Sequence, residues 1–242
     1  MIDISNLSVH FDDKVVLSDI SCIIEKDIVT TIIGKSGTGK SVLMKTVLGL
    51  IEPTRGDVTI DKISLKKAKK KMKIEIKKKT AMLFQSSALF DSMTILQNVG
   101  FPLYEHTNIN FSDLVEKVIK MLQLVDLTSD ILDLYPSDLS GGMKKRVALA
   151  RAIIQEPEYI IYDEPTTGLD PLTAEEIIRL IDTLNKELKM TSIVITHDPE
   201  CIKSITQKLI MLDQGKLIFN DDFSKFSTCT HPIVKSFAKY II

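Results

Sequence analysis

Cysteine is scarce in this chain. Cys22, Cys201 and Cys229 lie far apart with no CxxC pair, which excludes a disulfide scaffold or a cysteine-rich zinc module and fits a reducing compartment. Charge of one sign is also missing. The 31 Lys+Arg against 32 Asp+Glu leave a formal −1, so whole-chain charge argues for no polyanion partner and makes nucleic acid an unfavoured one. No apolar run approaches the roughly 18 residues of a spanning helix. The opening MIDISNLSVHFDDK carries acids where a leader peptide would carry positive charge and a long apolar stretch. If the protein works at a membrane, another chain must hold it there. No internal repeat is visible, so one chain carries one copy of any site. What remains is ordinary globular stock, 44% hydrophobic and 26% charged over 242 residues, enough for one well-buried domain or two small lobes.

Short runs rich in Ile and Val alternate with helical patterns. Residues 28–33 (IVTTII) read as a buried strand ended by Gly34 and followed by a helix over about 39–50. Residues 158–162 and 192–196 read as further strands of the fully buried parallel type. A helix over 172–188 puts Ile177, Leu180, Ile181 and Leu184 on one face. This alternation predicts an α/β fold with a doubly wound parallel sheet. The first 30 residues alternate apolar and polar instead, which predicts an antiparallel layer. Residues 209–212 and 216–219, joined through Gln214–Gly215, predict a hairpin. Between 87 and 156 the pattern is mostly helical (111–124 and 142–154), broken by Pro102, Pro136 and Gly141–Gly142, and reads as a lobe inserted into the core. The expected domain is 1–221, with the core from 1–86 and 157–221, followed by a tail over 222–242. In that tail Pro232 opens a short helix with Ile233, Phe237 and Tyr240 on its apolar side. The segment 62–79 holds ten Lys and one Glu. Such a run suits anionic lipid or nucleic acid, but Ile63, Leu65, Met72, Ile74 and Ile76 supply a buried side, so it reads as the solvated face of a surface connection.

Gly34-Lys35-Ser36-Gly37-Thr38-Gly39-Lys40-Ser41 matches G-x-x-x-x-G-K-[ST], and it lies after a strand and before a helix, where that P-loop motif must lie. At average composition the string arises by chance in about 1% of chains this long. Glycines let backbone N–H groups turn inward around phosphate oxygens, and the helix N-terminus adds its dipole. Lys40 then reaches the β/γ-phosphates of a nucleotide and Ser41 ligates Mg²⁺; the ATP-contacting stretch runs on to Val42. A P-loop needs a carboxylate at the end of a neighbouring strand. Ile160-Ile161-Tyr162-Asp163-Glu164 supplies Asp163 for the Mg²⁺ shell, and Glu164 directly after it to polarise a water in line with the γ-phosphate. Leu139-Ser140-Gly141-Gly142-Met143 precedes a helix beginning near Lys144. Ser140 reads as an N-cap with exposed N–H groups beside it, a second anion site. One nucleotide per P-loop and two anion sites per chain are reconciled by a head-to-tail homodimer that sandwiches two nucleotides.

In order, the P-loop, Phe84-Gln85, LSGGM, YDEP, Thr167-Gly168-Leu169-Asp170 and Thr196-His197-Asp198 resemble the ATP-binding-cassette ATPases over about residues 2–220. The resemblance implies that Gln85 senses Mg²⁺ and connects to an integral membrane permease. It also implies that Asp170 is the D-loop aspartate and that the switch histidine His197 contacts the γ-phosphate. Residues Ser140, Gly141, Gly142 and Met143 would form the signature that reaches ATP on the other protomer. Phe11 falls where an aromatic commonly stacks on adenine, although a core phenylalanine would explain it as well. His10, His106 and His231 have no such context and read as surface or structural. Met143 departs from the commonest signature, which ends in Gln. It lies beyond the Ser140–Gly142 donors, so activity is expected to survive.

Three strings, FQSSALFDSMTILQNV (84–99), FPLYEHT (101–107) and LSGGMKKRVALARAI (139–153), are similar to the ATPase subunits of Mla/Mce-type lipid transporters, in which Met143 is usual. That resemblance implies two permease copies, a periplasmic Mce-type lipid-binding protein, a small regulatory subunit, and a peripheral position on the cytoplasmic face of the inner membrane. A cassette for an amino acid, a metal or a lipoprotein shares every catalytic residue and stays open, as does a soluble cassette ATPase working outside transport.

Overall fold

The computed structural model describes residues 1–242. Two sheets form the frame. One is antiparallel, in the order β2 (Lys14–Ile24), β1 (Ile2–Phe11), β4 (Arg55–Ile60), β5 (Ile63–Ser64). The other runs β10 (Lys216–Asp222), β9 (Lys208–Asp213), β3 (Val29–Ile33), β8 (Thr191–Ile195), β7 (Tyr159–Asp163), β6 (Thr80–Leu83). All its neighbours are parallel except β9 and β10. Those two form the expected hairpin, through the two-residue turn Gln214–Gly215, both at positive φ.

The parallel strands are apolar on both faces because both faces are covered. Along β7, Tyr159 and Ile161 point into one core and Ile160 and Tyr162 into the other; along β8, Ile193 and Ile195 oppose Val194. The first core joins the antiparallel sheet to α1 (Lys40–Val47). The second joins the sheet to the inserted helices α3 (Ile95–His106), α4 (Phe111–Leu124) and α5 (Gly141–Ile153), and to α6 (Pro171–Leu188). The insertion is therefore packed on the sheet rather than tethered to it. Tyr159 Oη donates to Asp61 Oδ1 at 2.7 Å, which ties the two sheets together at the end remote from the β7 C-terminus.

Four local expectations are corrected. Pro102 does not break the helix: α3 runs through it. Burial of Ile95, Val99 and Leu103 and a hydrogen bond from Gln155 Nε2 to the Pro102 carbonyl (2.9 Å) outweigh the lost backbone bond. The first helix ends at Val47 rather than near 50, because Gly49 turns left-handed (φ 67°) and Leu50 N–H closes back on the Lys45 carbonyl at 2.8 Å. In the Lys-rich segment, only a two-residue strand and α2 (Lys70–Lys78) form. Ile76 is buried and Ile63 and Leu65 half-buried, but Met72 and Ile74 are exposed, since so short a helix offers the core one position and the stem of Lys73. The tail helix α8 (Pro232–Ile241) forms with its face rotated from the expected one. Val234, Ala238 and Ile241 are buried against Ile202, Met211 and Phe226, with Ile233 and Phe237 flanking them, while Tyr240 is 74% exposed. Packing against Ile202, Met211 and Phe226 fixes which stripe turns inward. No helix is long and apolar enough to cross a membrane.

Ile161, 1% exposed on β7 in the core between the two sheets, is the test of this packing. Ile161→Ala is expected to cost about 2–5 kcal/mol in chemical denaturation; a loss under about 1 kcal/mol would contradict a close-packed core.

Candidate active site

The site assembles where the parallel strands end. β3 stops at Ile33 and the chain turns through Gly34–Gly39 into α1. Gly39 holds φ 101°, and a Cβ there would lie 2.6 Å from Leu17 Cδ2 on β2, so only glycine fits. No side chain caps α1, and the backbone N–H groups of residues 39–42 donate no hydrogen bond within the chain. Lys40 Nζ donates to the carbonyls of Gly34 (2.7 Å) and Lys35 (3.0 Å), closing the loop into a ring, and Thr38 Oγ1 donates to Lys35 O at 2.9 Å. Burial makes the Lys40 ammonium easier to deprotonate, opposed by the nearby charges of Glu164 and Asp163. Lys35, Ser36, Gly37 and Ser41 are exposed, and Val42 is half-buried behind them.

Asp163 ends β7, paired with Ile195 of β8. Glu164 then turns left-handed (φ 49°), its N–H donating to the Ile195 carbonyl at 2.8 Å. That conformation is uncommon outside glycine and costs of order 1–3 kcal/mol. It brings the Glu164 carboxylate within 2.9 Å of His197 Nδ1, with Thr167 Oγ1 donating to it at 3.4 Å. A carboxylate only accepts, so Nδ1 carries the proton of that contact. Glu164 is 15% exposed and His197 76%, so the carboxylate is sheltered while the ring reaches outward. Thr166 Oγ1 donates to Asp198 Oδ2 at 2.9 Å, and Asp198 caps α7 (Pro199–Ile205), which locks the loop after β7 to the loop after β8. Burial raises the Asp163 pKa, and Glu164 raises it further against the pull of Lys45, Lys40 and Lys145.

The remaining residues form a second group. Ser140 caps α5, its Oγ accepting from Met143 N–H at 3.2 Å. A Cβ on Gly142 would sit 2.5 Å from Thr173 Cγ2, so the start of α5 lies hard against the start of α6. Asp170 caps α6 through Thr173 N (3.1 Å), and hydrogen bonds from Thr173 hold its carboxyl below the usual range. Gly141 and Asp170 are exposed, and Met143 packs half-buried on the helical core. No hydrogen bond joins residues 140–143 to residues 34–41. Phe11 stands 46% exposed beside the β1–β2 turn rather than in a core. Gln85, just after β6, is exposed as well.

An Mg²⁺–nucleotide fits these groups chemically. Ser41, Gln85 and Asp163 offer only oxygen donors, the set a hard cation prefers. No cluster of three His, Cys, Asp or Glu residues forms a cage by itself, in keeping with an ion that takes much of its shell from phosphate and water. The unpaired N–H groups at 39–42 supply the matching anion site.

The profile of the family described as ABC transporter matches residues 17–167. The chain belongs to that family. It is an ABC ATPase, binding and hydrolysing ATP, and its antiparallel layer on a parallel core with helices is the cassette fold. It is 38% identical to "Methionine import ATP-binding protein MetN 1" of Enterococcus faecalis, over 99% of this chain and 68% of that one. It is 37% identical to "Intermembrane phospholipid transport system ATP-binding protein MlaF" of Haemophilus influenzae, over 90% and 82%. Among solved structures, the dimeric post-hydrolysis state of the ATP-binding cassette MJ0796 bound to ADP and Pi superposes with a TM-score of 0.82 at 28% identity, over 92% of this chain and 98% of that chain. The methionine and phospholipid relatives are about equally similar, so overall identity does not choose the cargo of this ABC ATPase.

Sequence reasoning missed Thr166 and Lys145, and gave Thr167 no role beyond its place in the motif with Asp170. The two threonines follow Glu164 directly in a hydroxyl-rich turn, a signal that was available; a lysine among the buried positions of the ABC ATPase's α5 was another. Asp163 yields a stability test. Its folded pKa is raised, so its contribution is full below the unfolded-chain value and is lost as pH rises through the folded one. At neutral pH the ionised group therefore destabilises the nucleotide-free fold. Asp163→Asn is expected to raise Tm at pH 7 and to lose that advantage in acid; a lower Tm at pH 7 would contradict the assignment.

Proposed function

We propose that this ABC ATPase works as a homodimer on a separate integral permease and drives the movement of phospholipid. The observation that carries the dimer is the division of anion-binding groups within one chain: residues 34–42 pack beside β2 and residues 140–143 beside the start of α6, with no hydrogen bond between the two groups. Two copies head to tail bring the first group of one against the second of the other. Lys40 and the free N–H groups then draw the β- and γ-phosphates, and Phe11, exposed beside the β1–β2 turn, stacks on the base. Ser41, Gln85 and Asp163 would hold Mg²⁺ with the phosphate oxygens, and the ion would neutralise charge developing on them. Glu164 accepts a proton from the attacking water, a step worth about 10²–10⁴ in rate. His197, hydrogen-bonded to Glu164, orients it and lies ready for the γ-phosphate. Ser140, Gly141, Gly142 and Met143 of the second copy close the far side, with Asp170 beside them.

The phospholipid cargo rests on the strings at 84–107 and 139–153, where Met143 and the segment after Gln85 are similar to the Mla/Mce-type ATPases, and on the Haemophilus relative. With that cargo go an Mce-type lipid-binding protein, a small regulatory subunit and a peripheral position on the cytoplasmic face of the inner membrane. Methionine import is the second reading, favoured by the Enterococcus relative.

Gentle-detergent isolation of the tagged chain from native membranes, with mass spectrometry of proteins and lipids, separates them. A multispan permease with an Mce-type protein and bound phospholipid is expected; a permease with an amino-acid-binding protein would replace the cargo. Glu164→Gln is expected to cut ATP turnover at least about 100-fold while still binding ATP and accumulating as a dimer in size-exclusion chromatography. Normal turnover would remove Glu164 from its role.

A further inference from the structure

The turn after β6 has one backbone hydrogen bond of its own, Ser87 N–H to the Phe84 carbonyl at 3.0 Å, and its remaining support comes from α5. Ser87 (φ 63°) and Ala88 (φ 47°) are consecutive left-handed non-glycine residues, a costly arrangement that persists only when its surroundings enforce it. No backbone N–H donates to the carbonyls of Gln85, Ser87 or Ala88. Two cations of α5 do. Arg151 donates to Ser87 O at 2.9 Å and Ala88 O at 2.8 Å, with its guanidinium 5.7 Å over the Phe90 ring. Lys145, six residues nearer the Ser140 end, donates to the carbonyl of Gln85. It is only 4% exposed, and its ammonium also feels the charges of Asp163 and Glu164. A buried ammonium is expensive unless its partners need it, and a Met or Leu would fill the apolar side of α5 more cheaply.

We propose that Lys145 is a positioning residue for ATP hydrolysis. It pins the Gln85 backbone to the signature helix, so that the loop bearing Gln85 and the surface bearing Ser140 move as one body relative to Asp163 and Glu164. Arg151 secures the outer half of the same turn, and Lys145 alone holds Gln85 itself. The inference rests on the reading of Gln85 as a phosphate-side group.

A double-mutant cycle tests it in the purified complex, with steady-state ATPase rates and titration with a fluorescent ADP analogue. Lys145→Met is expected to lower kcat about tenfold while ADP affinity changes less than about threefold, and Lys145→Arg to restore most of the rate. Because Lys145 acts through Gln85, the Lys145→Met/Gln85→Ala double variant is expected to be no slower than Gln85→Ala alone. Multiplying losses, or a Lys145→Met rate within about twofold of the parent, would overturn the proposal. Normal turnover by Gln85→Ala would overturn the reading of Gln85 and this inference with it. If thermal melting finds Lys145→Met unfolded, Lys145→Gln, one atom shorter and without the charge-assisted bond to Gln85, carries the same cycle under the same criteria.

Discussion

The backbone N–H groups of residues 39–42 stand at the end of a buried parallel strand with no acceptor of their own, and the rest of the chain is arranged around them. Unpaired donors at a helix start are tolerable only where an anion or water can take them. Holding the turn in place requires β2, whose Leu17 packs where a Gly39 Cβ would be, and Lys40, which folds back on the loop carbonyls. Holding the acids opposite requires β7 and β8 to end level with β3, which their parallel register provides. Both faces of the sheet are committed to packing, so chemistry is left to the strand ends, the usual location in open α/β sheets.

Local features of this chain could be read before folding, and tertiary ones could not. The strand–loop–helix around Gly34–Ser41 and the Gln214–Gly215 hairpin depend on glycine spacing and short apolar runs, which a sequence displays directly. Asp163 at a strand end follows from the length of the run before it. The fate of Pro102 depends on what Ile95, Val99 and Leu103 bury, and on Gln155 reaching across from after α5. The inward stripe of α8 depends on the residues it meets from elsewhere in the chain, Ile202, Met211 and Phe226 among them. Neither is visible in periodicity alone. The left-handed turn at Glu164 was hidden for another reason: nothing in an acidic residue announces a positive φ, and here Ile195 of the neighbouring strand enforces it.

The same contrast separates chemistry from cargo. Both halves of the phosphate site are written in every copy of the chain, and the chain is about equally similar to a methionine and a phospholipid relative. On the proposed reading, cargo is decided by the permease, which would meet the cassette through segments such as 84–107. Lys145 and Arg151 tie that segment to the signature helix through part-buried, charge-assisted hydrogen bonds. They offer a physical route by which a permease contact and a phosphate contact inform each other.

The central claim is that one chain holds two halves of different sites. Mixing two inactive variants tests it most directly. Lys40→Ala damages the loop half, and Ser140→Arg blocks the signature half. Each alone is expected to form no nucleotide-bound dimer. Together they restore one intact site per mixed dimer, so native mass spectrometry is expected to find one ATP per two chains. A mixture that binds no ATP at the interface, or a Ser140→Arg homodimer that keeps two, would contradict the account.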